Sequence, residues 1–236
     1  MDQQIVYENQ RPVPHEDAGP PLPSPVERKQ LTEVAAGGSS IGAIAGAATA
    51  VLAIIGLSGG FPLLMMTLSA IVVGAGFFAE GTSLGAALAK VDRRNLFEES
   101  GAASGFALQG LAGAASIVFG ILSIVGLLPA VLIPVAIITV GGAMAFGGPA
   151  RAELNLSVLE FGGASPTARR AATQAVQAST GLLTLVGLGA ITLGILALVH
   201  VPPMGTLALV ALLCLGCAQL LSDSALLGRV GQIPRR

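Results

Sequence analysis

Polar and apolar positions in this chain segregate into long blocks instead of the short alternations of a water-soluble fold. Three stretches, Val34 to Ala79, Ser100 to Ala150 and Ala171 to Ser222, contain no Asp, Glu, Lys or Arg. A helix that crosses a bilayer needs about 20 apolar residues, so each stretch is long enough for two crossings. Each is broken near its middle by proline, at Gly59-Gly60-Phe61-Pro62, at Leu127-Leu128-Pro129 and at Val201-Pro202-Pro203. Proline lacks the backbone donor that would continue the preceding helix. Pro62, Pro129 and Pro203 therefore read as the tips of three helical hairpins. The predicted crossings run roughly over 39–58, 61–79, 107–127, 130–148, 181–200 and 204–221.

The hairpins resemble one another when aligned on their prolines. Ala45-Gly46-Ala47-Ala48-Thr49 lies over Ala112-Gly113-Ala114-Ala115-Ser116, and Pro62 then falls on Pro129. A second shift places Gly113 on Gly187, Gly120-Ile121-Leu122 on Gly194-Ile195-Leu196 and Pro129 on Pro203. The second arms share a glycine at Gly74, Gly141 and, with one slip, Gly216. The predicted fold is all-α and integral to a membrane, with six transmembrane helices in three hairpin repeats. Its segments are a proline-rich tail over 1–30, repeats over 31–91, 92–164 and 165–228, and a short tail over 229–236.

Short cytoplasmic amphipathic helices are expected to lead into the hairpins. Ser24-Pro25 and Ser165-Pro166 pair an N-cap serine with a proline at the first helical position, and Glu27 completes a capping box with Ser24. Asn95 with Glu98 could serve the middle repeat in the same way.

Composition agrees with this pattern. Hydrophobic residues make up 53% of the chain and charged residues 11%, against roughly 25% charged in an ordinary soluble domain. Mean hydropathy is +0.80. The formal net charge of −1, without a block of Lys or Arg, lacks the electrostatic footprint of a nucleic-acid binder. All the Lys and Arg residues lie in the tails or the long loops between hairpins, and none lies at a hairpin tip. By the positive-inside rule both termini and the long loops are cytoplasmic and the hairpin tips face outward. The tail carries six prolines within residues 1–30 and is expected to be disordered; its Pro20-Pro21-Leu22-Pro23-Ser24-Pro25 run is a candidate ligand for a protein partner.

Candidate chemistry is sparse. Cys214 and Cys217 form a Cys-x-x-Cys pair, a redox motif in soluble proteins, but inside a membrane span cysteine is expected to act as a small apolar packing residue. Glu80 stands at the end of the second span. As a buried carboxylate it would be a proton or ion site; the plainer reading is an interfacial acid, with Gly81 closing the helix. His200 stands at the third tip, either as a sensor of external acid or as a polar cap on the turn. Gly42, Gly46, Gly113, Gly120, Gly187 and Gly194 recur at spacings that let helices approach closely, and suit either a homo-oligomer seam or packing within the protomer. The polar segments show no phosphate loop, Ser/His/Asp set, ligand cluster or paired carboxylates. The expectation is a chain that is not an enzyme and uses no cofactor or metal.

The pattern Gly120-Ile121-Leu122-Ser123-Ile124-Val125 to Pro129, repeated as Gly194-Ile195-Leu196-Ala197-Leu198-Val199 to Pro203, resembles the HdeD-like family of small bacterial membrane proteins. The resemblance spans residues from about 40 to 225 but lacks the family's tryptophan before each repeat. It implies three hairpins in an inner membrane and an association with acid or envelope stress. It supplies no catalytic residue. Mitochondrial carriers also use three hairpins, but they place charges within the odd helices, and these spans have none.

Two functions follow as expectations. One is a non-enzymatic structural or stress protein that organises membrane through self-association. The other is a channel or transporter for a small neutral solute, lined by Gln109, Thr67, Thr139, Thr192 and Gln219.

Overall fold

In the computed structural model each charge-free stretch folds as two helices joined at its proline. Backbone is described for residues 25–92, 101–161 and 166–230, and side-chain surroundings chiefly for 40–83, 105–148 and 180–223. The helices are α1 (Pro25–Leu57), α2 (Pro62–Asp92), α3 (Gly101–Ile124), α4 (Pro129–Phe161), α5 (Pro166–Leu198) and α6 (Met204–Val230). Each contains a window long and apolar enough to cross a membrane: Ser40–Leu57, Pro62–Ser83, Gly105–Ile124, Pro129–Gly148, Thr180–Leu198 and Met204–Asp223. These agree with the predicted spans to within a few residues. A multi-pass membrane protein is built this way, because a helix satisfies its backbone polar groups internally where water is missing.

The helices outrun the apolar windows at the end of the bundle away from the tips. Residues 25–30, assigned to the N-terminal tail by composition, belong to α1, and α6 enters the segment assigned to the C-terminal tail. Gly81 does not close α2, which continues to Asp92. An added Cβ at Gly81 would strike the backbone of Gly110 in α3, so this glycine is where two helices meet. Its cost of about 1 kcal/mol as a helix-interior glycine is set against that close crossing. Pro25, Pro62, Pro129 and Pro166 stand at the first position of their helices, where the missing donor costs nothing. The caps proposed at Ser24, Ser165 and Asn95 lie outside the described residues, as does the Pro20 to Ser24 run.

The three tips close alike. The Gly59 amide donates to the Gly56 carbonyl and Gly60 to Ile55; Gly126 donates to Ser123 and Leu127 to Leu122; His200 donates to Ala197 and Val201 to Leu196. This bond pair is a Schellman cap, which requires a left-handed residue at its first position. Gly59 (φ 94°) and Gly126 (φ 89°) supply it without steric penalty, and His200 (φ 61°) fills the same place in the third hairpin.

Each helix packs against its chain neighbours, and α6 returns to pack on α1, closing a ring. The even helices α2, α4 and α6 also touch one another across the middle, whereas no two odd helices meet among the described residues. The core therefore forms chiefly on the even helices, from Val73, Phe77, Ile137, Val140, Leu212 and Leu215. Outward faces carry Ile44, Leu111, Phe146 and Leu185, each mostly exposed, as expected of helices solvated by lipid.

Three seams join the hairpins, and each is a glycine crossing. Gly74 of α2 meets Gly113 of α3, Gly141 of α4 meets Gly187 of α5, and Gly216 of α6 meets Gly46 of α1. A Cβ on any of the six would lie 2.6 to 2.9 Å from the carbonyl oxygen of the facing glycine. Gly120 packs on Ile71, and Gly194 on Ile138, in the same two-helix pairs. The small residues that suited either a homo-oligomer seam or internal packing thus face helices of their own protomer. Their register is the one in which the sequence stacks.

Candidate functional site

Beyond the α2/α3 glycine crossing, toward the tails, the close approach at Gly81 and Gly110 brings Gln109 of α3 against Glu80 of α2. The Gln109 Nε2 donates to Glu80 Oε2 at 2.7 Å, and both side chains are buried. Glu80 is 1% exposed, so although it stands at the end of an apolar run it is shielded within the bundle. Position along the sequence gives depth in a membrane, but not which neighbours extend beyond that depth. Here Gly42 of α1, Gln109 of α3 and Asp223 of α6 gather around it.

A second acid lies on α6. Asp223 is the last residue of its apolar window and is also 1% exposed. Gly42 of α1 brings the two together: a Cβ at Gly42 would collide with Glu80 Oε1 and with Asp223 Oδ2. One methyl-sized space therefore receives an oxygen from each carboxyl group, which sets the two groups in contact, within about 4.5 Å. The paired carboxylates not found in the polar segments are assembled from the ends of two apolar ones.

Gln219 lies one turn before Asp223 on the same face of α6, toward the tips. It is 0% exposed, and neither its Nε2 nor its Oε1 has a hydrogen-bond partner. Its amide nitrogen occupies the space that a Cβ at Gly76 would take, beside Ala45 and one turn before Glu80. Further toward the tips, Val73, Leu212 and Leu215 fill the interior with apolar side chains. The cluster is thus a buried polar layer at the tail end of the bundle, with apolar side chains behind it.

Glu80 and Asp223 are the two acidic side chains whose surroundings are described. Two carboxylates in contact repel, and each loses hydration inside an apolar bundle. A positive charge shared by two such groups, from a proton or another cation, offsets that repulsion.

The other sequence candidates lie elsewhere. His200 is exposed at the opposite end, as the left-handed cap of its turn. Cys214 and Cys217 are both exposed on the outer face of α6, so they are not core packing residues. Among the described residues no group of three His, Cys, Asp or Glu side chains is placed to hold a metal ion. Of the residues read as a polar lining, Gln109, Thr67 and Gln219 are buried, Thr139 bonds its own helix at Val135, and Thr192 faces outward. Sequence reasoning missed Asp223, although the one-residue slip of Gly216 against Gly74 and Gly141 places it close to the stacked position of Glu80.

Comparison of the chain with protein-family models, with curated proteins and with solved structures finds no match in any of the three.

Proposed function

We propose that this multi-pass membrane protein is a channel or carrier for a small cation, a proton or a metal ion, which it takes up at the Glu80 and Asp223 pair. One observation carries the reading: the two acidic side chains of the described region are both buried and share a single glycine-lined space. A bundle that acted by packing alone would gain more from apolar residues there, since buried charges are commonly replaced by well-packed apolar groups without loss of stability. The glycines that suggested self-association are engaged inside the protomer. This weakens the structural and membrane-organising reading. A neutral-solute path is weakened as well, because Thr139 and Thr192 offer no lining.

The cation positions at the tail end support an orientation with both termini in the cytoplasm, so that the pocket lies nearer the inner face of a bacterial inner membrane. Kinship with the HdeD-like family, and the acid or envelope stress it implies, rests on the proline and glycine register.

The test is flux in proteoliposomes under an imposed proton or alkali-cation gradient, read with an entrapped indicator. Wild-type protein should dissipate at least one gradient faster than empty vesicles. Glu80→Gln and Asp223→Asn should return the rate to background, whereas Thr192→Val should not. Wild-type rates equal to those of empty vesicles under every gradient would overturn the proposal.

A further inference from the structure

The hairpin tips are built unlike turns that face water. Over residues 57–64, 125–131 and 199–204 the only polar side chains are Ser58 and His200, and none is acidic or basic apart from the imidazole. Phe61 is the most exposed large apolar side chain among the described residues, at 79%, and Val125 and Leu128 follow at 71%. Phe61 (φ 45°) and Leu128 (φ 39°) also hold the left-handed conformation one residue before the hairpin proline. Bulky side chains are disfavoured there, and in water glycine or asparagine would serve such a turn at lower cost. Two hairpins thus keep a strained, bulky apolar residue at their summit.

The polar groups of the tips are met from within. The amides of Gly59, Gly60, Gly126, Leu127, His200 and Val201 donate inside their own hairpins, and the carbonyls of Phe61 and Leu128 accept from the helix that follows. The Ser58 hydroxyl donates to the Ile55 carbonyl. Such closure is what a lipid surrounding demands of a backbone.

Helix length gives the depth. Arg151, the basic residue nearest to any tip, lies 22 residues after Pro129 along α4, which is about 33 Å of helix, or about 31 Å at an ordinary tilt of about 20°. The hydrocarbon layer is about 30 Å thick, and each headgroup layer adds about 5–7 Å. With Arg151 at one boundary, the tips reach the other and stop short of water.

We propose that the three tips form an apolar crown seated in the acyl chains and glycerol level of the tip-side leaflet. The crown continues the lipid-facing sides of the helices, since exposed Leu57, Leu64 and Val199 lead onto it without a polar break. It also supplies a depth anchor of another kind from the usual aromatic belt: the chain has no tryptophan, and its single tyrosine is Tyr7. This inference rests on the multi-pass reading and not on the acid pair.

The lack of tryptophan makes the test direct. Phe61→Trp, Leu128→Trp and Val201→Trp are each made in the full chain, reconstituted in phosphatidylcholine vesicles, and required to elute as wild type does. Fluorescence is read with lipids brominated near the glycerol or deep in the acyl chains, and with iodide in the water. Leu111→Trp, on the side of α3, is the reference for a lipid-facing position. Each tip tryptophan should be quenched at least twofold by shallow bromines, less by deep ones, and at least tenfold less by iodide than a free tryptophan amide. Quenching by iodide and not by bromines would put the tips in water and overturn the crown. Quenching by neither would mean that protein, a second copy or a partner, covers them, and would overturn it equally. Failure of bromines at Leu111→Trp as well would overturn the multi-pass reading itself.

Discussion

Gly46 and Gly216 face each other across α1 and α6 so closely that the carbonyl oxygen of each lies 2.8 Å from where a Cβ of the other would stand. Backbone thus meets backbone where the first helix of the ring meets the last. The same relation holds for Gly74 with Gly113 and for Gly141 with Gly187. Without a hydrophobic effect to drive helices together inside lipid, such contact is a main source of association.

Alanine at a crossing glycine is therefore expected to destabilise the bundle. Gly46→Ala, Gly113→Ala and Gly187→Ala should each cost about 1–3 kcal/mol, the usual range for overpacking a tight contact. Gly142→Ala and Gly189→Ala, where a Cβ would meet nothing within 4 Å, should be neutral or stabilising by up to about 1 kcal/mol. Reversible unfolding by denaturing detergent in mixed micelles separates the two sets. Equal effects in both would refute the crossing as the cause.

His200 should be replaceable to advantage. It holds a left-handed conformation at the cap position that Gly59 and Gly126 occupy in the other hairpins. His200→Gly is expected to stabilise the third hairpin by about 1 kcal/mol, and His200→Val to destabilise it by a similar amount. Thermal midpoints should show the opposite signs at both pH 6 and pH 8. A gain confined to one of these would mean that the imidazole charge, and not the backbone, decides the effect.

Gln109 holds Glu80 by a charge-assisted bond, so removal of its amide should be costly. Gln109→Leu is expected to lose about 1.5–3 kcal/mol, the range for hydrogen bonds to charged groups. In a Glu80→Gln background the same change should cost less, because no carboxylate is left without its donor. A double-mutant cycle measures this coupling, and a coupling near zero would remove Gln109 from the site.

The backbone plan was legible because its causes are local. Pro62, Pro129 and Pro203 break charge-free runs, and a helix between two such breaks can place its backbone bonds only within itself. Azimuth was not legible in the same way. Whether Gly113 faces a neighbouring helix, lipid or another copy depends on how the ring closes, and no hydrophobic stripe marks the inner face when lipid is the solvent. Glu80 illustrates the loss: its end-of-span position gave its depth, while its burial depends on Gln109, Gly42 and Asp223, the last lying at the far end of the chain. The Cys214 and Cys217 pair shows the converse, a motif spacing that the helix turns outward.

Ring closure also orders the protein's birth. Glu80 leaves the ribosome on the second helix, and Asp223 close to the end of the sixth. The acid pair cannot form while the chain is still being threaded into lipid, and until α6 is delivered the glycine face of α1 has no mate. A chain stalled before its last hairpin would present that bare face, with an unshielded glutamate beside it, to the membrane and to other unfinished copies. The final seam is thus the step at which synthesis brings the two buried acids together.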